Sequence, residues 1–187
     1  MTAAEAARYA LAAATTAMLA WAAVSDVRSR RIPNLAVLAL LALFVLWLVA
    51  GGGGAVSALE AGGLALAATV ALWLLGLIGA GDSKLFACAA LFMGMGYLPW
   101  FALATALAGG VIAIGSLALR PTRTLVLAQM GTRGDWGRGI PYGAAISFAA
   151  ALILWTNLIG VVGPFGHARP PSLQQLEKAV RPISARP

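Results

Sequence analysis

Two of the six acidic residues stand where a carboxylate is costly. Asp82 lies in "GAGDSKL" (residues 79–85) between apolar segments, and Asp26 lies in "SDVRSRRIPN" (25–34), where a first apolar segment gives way to arginines. Glu5 and Glu177 are near the termini, Glu60 is close to a glycine run, and Asp135 is in a polar stretch. A carboxylate at the centre of a membrane span costs roughly 2.5–3.5 kcal/mol on insertion scales, and less near an interface. One reading makes the two residues interfacial ion pairs, Asp26 with Arg28 or Arg30 and Asp82 with Lys84. The other makes them a catalytic pair. Two carboxylates within a few ångströms of each other do not readily both ionise and share one proton. The charged member then takes a proton from water while the protonated member polarises a scissile carbonyl, which hydrolyses an amide without a metal or a covalent nucleophile. On the residues alone the two readings are level.

The elements that carry these residues are apolar. Of 187 residues 61% are hydrophobic and 10% are charged, against about a quarter charged in a soluble domain. This composition, with repeated long apolar runs, predicts an all-α, polytopic membrane helix bundle of about six transmembrane helices. Each span needs about 20 residues. The segments are placed at about 7–24, 34–50, 57–78, 85–97, 99–119 and 140–160. Pro33 fits the first turn of the second helix and Pro99 the opening of the fifth. "GGGG" at 51–54 reads as a flexible break. The fourth segment, short and interrupted by "MGMG", is the weakest span. The first segment reads as a retained span, because it has no positive flank before it and arginines directly after it. Residues 1–162 form the membrane bundle, and 163–187 form a mostly unstructured tail. Spacings such as Gly76/Ala80 and Gly109/Ala113 read as generic close helix packing.

With the N-terminus outside, the loops after segments one, three and five face the cytosol. These loops hold Arg28, Arg30, Arg31, Lys84, Arg120, Arg123, Arg133 and Arg138, whereas the opposite side holds Arg8 among the short connections and the start. That distribution follows the positive-inside rule, although the basic tail runs against it. Asp26 and Asp82 then share one membrane depth on the cytosolic side. The net charge of +7 is dispersed in short clusters that suit lipid headgroups, and no groove of interleaved basic and aromatic residues indicates a nucleic-acid partner.

In order and spacing, residues 7–160 resemble the type IV prepilin peptidase family of intramembrane aspartic proteases. The resemblance rests on "SDVRSRRIPN" with its basic, "IPN"-containing loop, on "GAGDSKL" as a GxGD motif with a lysine two places on, and on "GIPYG" at 139–143 as the opening of the last helix. It implies that Asp26 and Asp82 are the catalytic aspartates. Gly79 and Gly81 would frame the second, Lys84 would tune or anchor the site, and Arg28 and Arg31 would order the first loop. Pro141, Tyr142 and Gly143 are expected to shape a helix start. The implied substrate is a prepilin or pseudopilin whose basic leader is cut at the cytosolic face of a bacterial inner membrane. No cofactor is implied. The longer members carry paired CxxC motifs and also methylate the new N-terminus. This chain has one cysteine, Cys88, and looks like the short form associated with tight-adherence (Flp-type) pili, which speaks against methyl transfer.

Other chemistries have little to build on. His167 is the single histidine and Cys88 the single cysteine, so neither a zinc site nor a histidine-based triad has its parts. Ser83 lacks a base, and the glycine run is not followed by GK[ST]. Two readings from other classes stand beside the protease. One is a small transporter or channel subunit with proton-binding aspartates, and the other a noncatalytic pilus or secretion assembly protein.

Overall fold

The computed structural model describes residues 2–119 and 141–160. Every regular element among them is a helix: α1 Ala3–Ser29, α2 Asn34–Val49, α3 Ala55–Leu74, α4 Ala80–Leu119 and α5 Tyr142–Ile159. Helices α1, α3, α4 and α5 are long and apolar enough to cross a membrane, and α2 is a shorter apolar helix. The chain is an all-α membrane helix bundle. The polar stretch at 120–139, the tail beyond 160, and with them Asp135, His167 and Glu177, lie outside the described residues.

α1 begins on a reciprocal cap. The Glu5 amide donates to Thr2 Oγ1 at 3.2 Å, and the Thr2 amide donates to Glu5 Oε2 at 2.7 Å, satisfying two of the amides a helix start leaves free. The helix ends later than the apolar run predicts. Asp26 and Arg28 belong to its final turns rather than to a loop, and Arg30 stops it in the left-handed region at φ 55°. Its 27 residues measure about 40 Å, so its polar end extends past the hydrocarbon.

Two connections that look merely flexible in sequence are specified. In the glycine run, Gly51 has φ +72°, and a side chain at Gly52 would run into the Trp47 indole, which covers it. Trp47 is accordingly buried. The fourth and fifth segments form one element, with its break at Gly94 (φ 63°, ψ 176°) and not at Pro99. The rings of Phe86 and Phe101 stack with centroids 4.5 Å apart. Along a straight helix those residues would be about 22 Å apart, so α4 folds back into two antiparallel arms, 80–93 and 95–119. The Met95 amide, freed by the bend, donates to Ser57 Oγ at 3.0 Å. Pro99 sits inside the second arm. With the bend counted, the described residues form six helical segments in the order the sequence predicts.

The short first arm is the centre of the bundle. Leu85, Ala87, Cys88, Ala89, Ala90, Phe92 and Met93 are all buried, so this segment is covered by protein where a lipid-facing helix would need a full apolar surface. α4 packs on α3 and α5, and α1 on α5 and α2. Small residues set these approaches: Gly62 of α3 receives the Leu91 side chain, and Gly109 of the second arm lies against Tyr142 of α5. Gly76, in contrast, is a left-handed turn residue with nothing near it, and takes no part in helix packing. Replacing Gly62 with leucine overpacks the α3–α4 contact and is expected to cost about 1–3 kcal/mol, read as a lowered melting temperature in detergent.

A side-chain pair links α1 and α5 away from the aspartates. Trp155 Nε1 donates to Thr16 Oγ1 at 2.9 Å. Membrane hydrogen bonds of this kind average about 0.6 kcal/mol, so Thr16→Val is expected to lower stability by about that amount and to leave the polar end of the bundle unchanged.

Candidate active site

Both aspartates lie at the end of the bundle where α1 finishes and α4 and α5 begin. Each is held by a backbone amide of a glycine. Asp26 is buried at 7% exposure, and its Oδ2 accepts the Gly143 amide at 2.9 Å across 117 residues of chain. The reason is local to α5. Its N-cap is Pro141, which offers no side-chain acceptor, and the amides of a first helical turn have no partner within the helix. Asp26 supplies the acceptor from another helix, at the positive end of the α5 dipole.

Asp82 lies in the first turn of α4, and its Oδ2 accepts the Gly79 amide at 3.3 Å. Gly79 fills the cap position, with its carbonyl accepting the Ser83 amide at 3.1 Å. By position alone Asp82 would be a helix cap. Its carboxylate is also within electrostatic reach of Asp26, which capping does not require. In each carboxylate Oδ2 takes the glycine amide, and the Ala144 amide bears on the Asp26 carboxylate as well.

The wedge between the two helix starts is Ile32, from the "IPN" loop. A Cβ placed on Gly81 would be 3.5 Å from Ile32 Cβ, and one placed on Gly143 would be 3.0 Å from Ile32 Cδ1. The same Gly143 Cβ would meet Asp26 Oδ2 at 2.9 Å and Cγ at 3.0 Å, and one on Gly79 would meet Asp82 Oδ2 at 3.0 Å. Gly143 therefore gives the carboxylate both its hydrogen-bond donor and the room to reach it. Ser25 Oγ fixes the loop by donating to the Arg31 carbonyl at 2.9 Å. Ser83 is buried and donates to the carbonyls of Thr69, at 3.2 Å, and Gly79, at 3.3 Å, which ties the end of α3 to the start of α4.

The structure brings together Asp26, Asp82, Gly79 and Gly81. The side chains expected to support them are elsewhere: Arg28, Arg31 and Lys84 are exposed, and none forms an ion pair with either aspartate among the described residues. The ion-pair reading therefore fails for Lys84 and Arg28. Arg30 is the basic group whose charge bears on Asp26. Ile32 and Gly143 are the site residues that composition and spacing did not single out, although both lie within quoted motifs. No three of histidine, cysteine, aspartate and glutamate cluster as metal ligands among the described residues.

No curated protein and no solved structure matches the chain. A family description does. The model of the type IV leader peptidase family matches residues 13–114, more than half of the chain, a stretch that includes both aspartates, the "IPN" loop and the α4 bend. The chain belongs to the type IV leader peptidase family.

Proposed function

We propose that this protease is an aspartic endopeptidase in which Asp26 and Asp82 together activate water to cut the basic leader from prepilin or pseudopilin precursors. The observation that carries the reading is the convergence of two carboxylates from separate helices at one end of the bundle, each fixed by a glycine amide and each within electrostatic reach of the other. In the reaction one carboxylate takes a proton from water as its oxygen adds to the scissile carbonyl, and the other donates a proton to the carbonyl oxygen. Collapse of the resulting diol breaks the C–N bond, and the departing amine takes up a proton. The pair then holds one proton again.

The charge distribution favours a cytosolic position for this end. Arg28, Arg30, Arg31 and Lys84 all flank it, whereas Arg8 lies at the far end of α1, as the positive-inside rule requires in a bacterial inner membrane. The test is leader release from a purified prepilin by the purified chain in detergent, with no membrane gradient. Release is expected, with one cut ahead of the pilin's hydrophobic helix. Dependence on a gradient, or no cut in any prepilin, would replace this reading with transport or assembly.

A further inference from the structure

The end of the bundle away from the aspartates contains a cavity of about 470 Å³, within the range of small-molecule sites. Its walls come from the start of α1, the end of α2, the glycine turn, the α4 bend and the end of α5. Phe44, Trp47 and Phe92 form an apolar wall, with the Phe44 and Phe92 rings edge to face at 5.5 Å. Ser57 and Asn157 add polar groups, and Arg8 adds a positive charge.

Arg8 is the anomaly. Its Nε is buried and has no hydrogen-bond partner among the described residues, and its nearest acidic neighbour along α1, Glu5, is committed to the Thr2 amide. A buried guanidinium donor without an acceptor is expensive, and guanidinium groups pair well with phosphate oxygens. Arg8 lies 18 residues before Asp26 on the same helix, or about 27 Å, close to the thickness of a hydrocarbon core. It therefore stands at the headgroup level of the opposite leaflet.

We propose that this cavity binds a membrane phospholipid, its phosphodiester on Arg8 and part of an acyl chain against the Phe44–Trp47–Phe92 wall. The site is independent of the peptidase reading. Apolar wall and cationic rim together fit an amphiphile better than a free ion, and the headgroup phosphate supplies the acceptor that Nε lacks.

The test uses the full chain, purified in mild detergent and examined by native mass spectrometry, then delipidated and titrated with phosphatidylglycerol, diacylglycerol or inorganic phosphate. Wild type is expected to retain a phospholipid adduct and to melt higher with phosphatidylglycerol than with either control. Arg8→Gln is expected to bind it about tenfold or more weakly, the value of one charge-assisted hydrogen bond. Should that variant not fold, Gly53→Trp serves. Gly53 lines the cavity, and a Cβ there meets nothing within 4 Å, so the substitution places a bulky group at the cavity's edge without a clash, and the adduct is expected to be weakened. Equal stabilisation by inorganic phosphate or by diacylglycerol would overturn the proposal. An undiminished adduct in Arg8→Gln or in Gly53→Trp would overturn it as well. Leader cleavage, measured on the same samples, reports separately on the aspartates.

Discussion

Asp26→Asn and Asp82→Asn are each expected to reduce leader cleavage by about a thousandfold or more while leaving the bundle folded. Asparagine matches aspartate in shape, and its Oδ1 can still accept the Gly143 or Gly79 amide that each carboxylate accepts now. The helix starts therefore keep their acceptors. The variants lose proton exchange. General acid–base catalysis by one positioned group contributes about 10²–10⁴-fold, and a pair acting on one water and one carbonyl fails when either member fails. A melting temperature within a few degrees of wild type, together with lost cleavage, is the expected combination. If cleavage survives in Asp82→Asn, Asp82 is only the cap of α4.

Gly143→Ala is expected to reduce cleavage by about a hundredfold, and Gly81→Ala to have a much smaller effect. The contrast follows from the space around each glycine. At Gly143 a methyl group would sit 2.9 Å from Asp26 Oδ2 and 3.0 Å from both Asp26 Cγ and Ile32 Cδ1, so the carboxylate must move off its amide. Displacing a catalytic group by about 1 Å can cost 10²-fold. At Gly81 the nearest atom is Ile32 Cβ at 3.5 Å, an ordinary contact. Parallel cleavage and thermal-unfolding curves for the two variants check this. Equal losses in both would mean that Gly143 acts only as packing.

Much of the architecture was legible because apolar run length is what a bilayer selects. The six segments and a helix start at Pro33 follow from run length and from proline's missing amide, whereas the start at Pro141 was expected from the family resemblance. The bend at Gly94 was not legible, because Gly94 and Pro99 lie five residues apart and either could end a helix. What places the bend is Ser57 offering an acceptor to the freed Met95 amide, a contact between distant residues that local sequence does not encode. The span of α1 was misjudged for a related reason. Asp26 and Arg28 look like loop residues by polarity, yet they continue the helix because its end reaches beyond the hydrocarbon and Arg30 supplies the left-handed stop.

The two aspartates stand out by their cost in an apolar chain and by the motifs around them, and Gly79 and Gly81 were expected to frame Asp82. The contacts of Asp26 were less legible. Charge drew attention to Arg28, Arg31 and Lys84, all of which are exposed, whereas the contacts at the aspartates are the amide of Gly79, which the motif included, the amide of Gly143 and the side chain of Ile32. Backbone donors have no signature in composition. The signal for Gly143 was the proline before the last helix, which leaves a first-turn amide without a cap and so requires an acceptor from elsewhere.

The central claim is that Asp26 and Asp82 form one catalytic unit. It is tested most directly by the cleavage rates of wild type, Asp26→Asn, Asp82→Asn and the double variant on one purified prepilin in detergent. Groups that act as a unit are strongly non-additive, so the double variant is expected to be no slower than either single one. Losses that multiply, or single variants that still cut, would contradict the account, since each aspartate would then be acting alone or not at all.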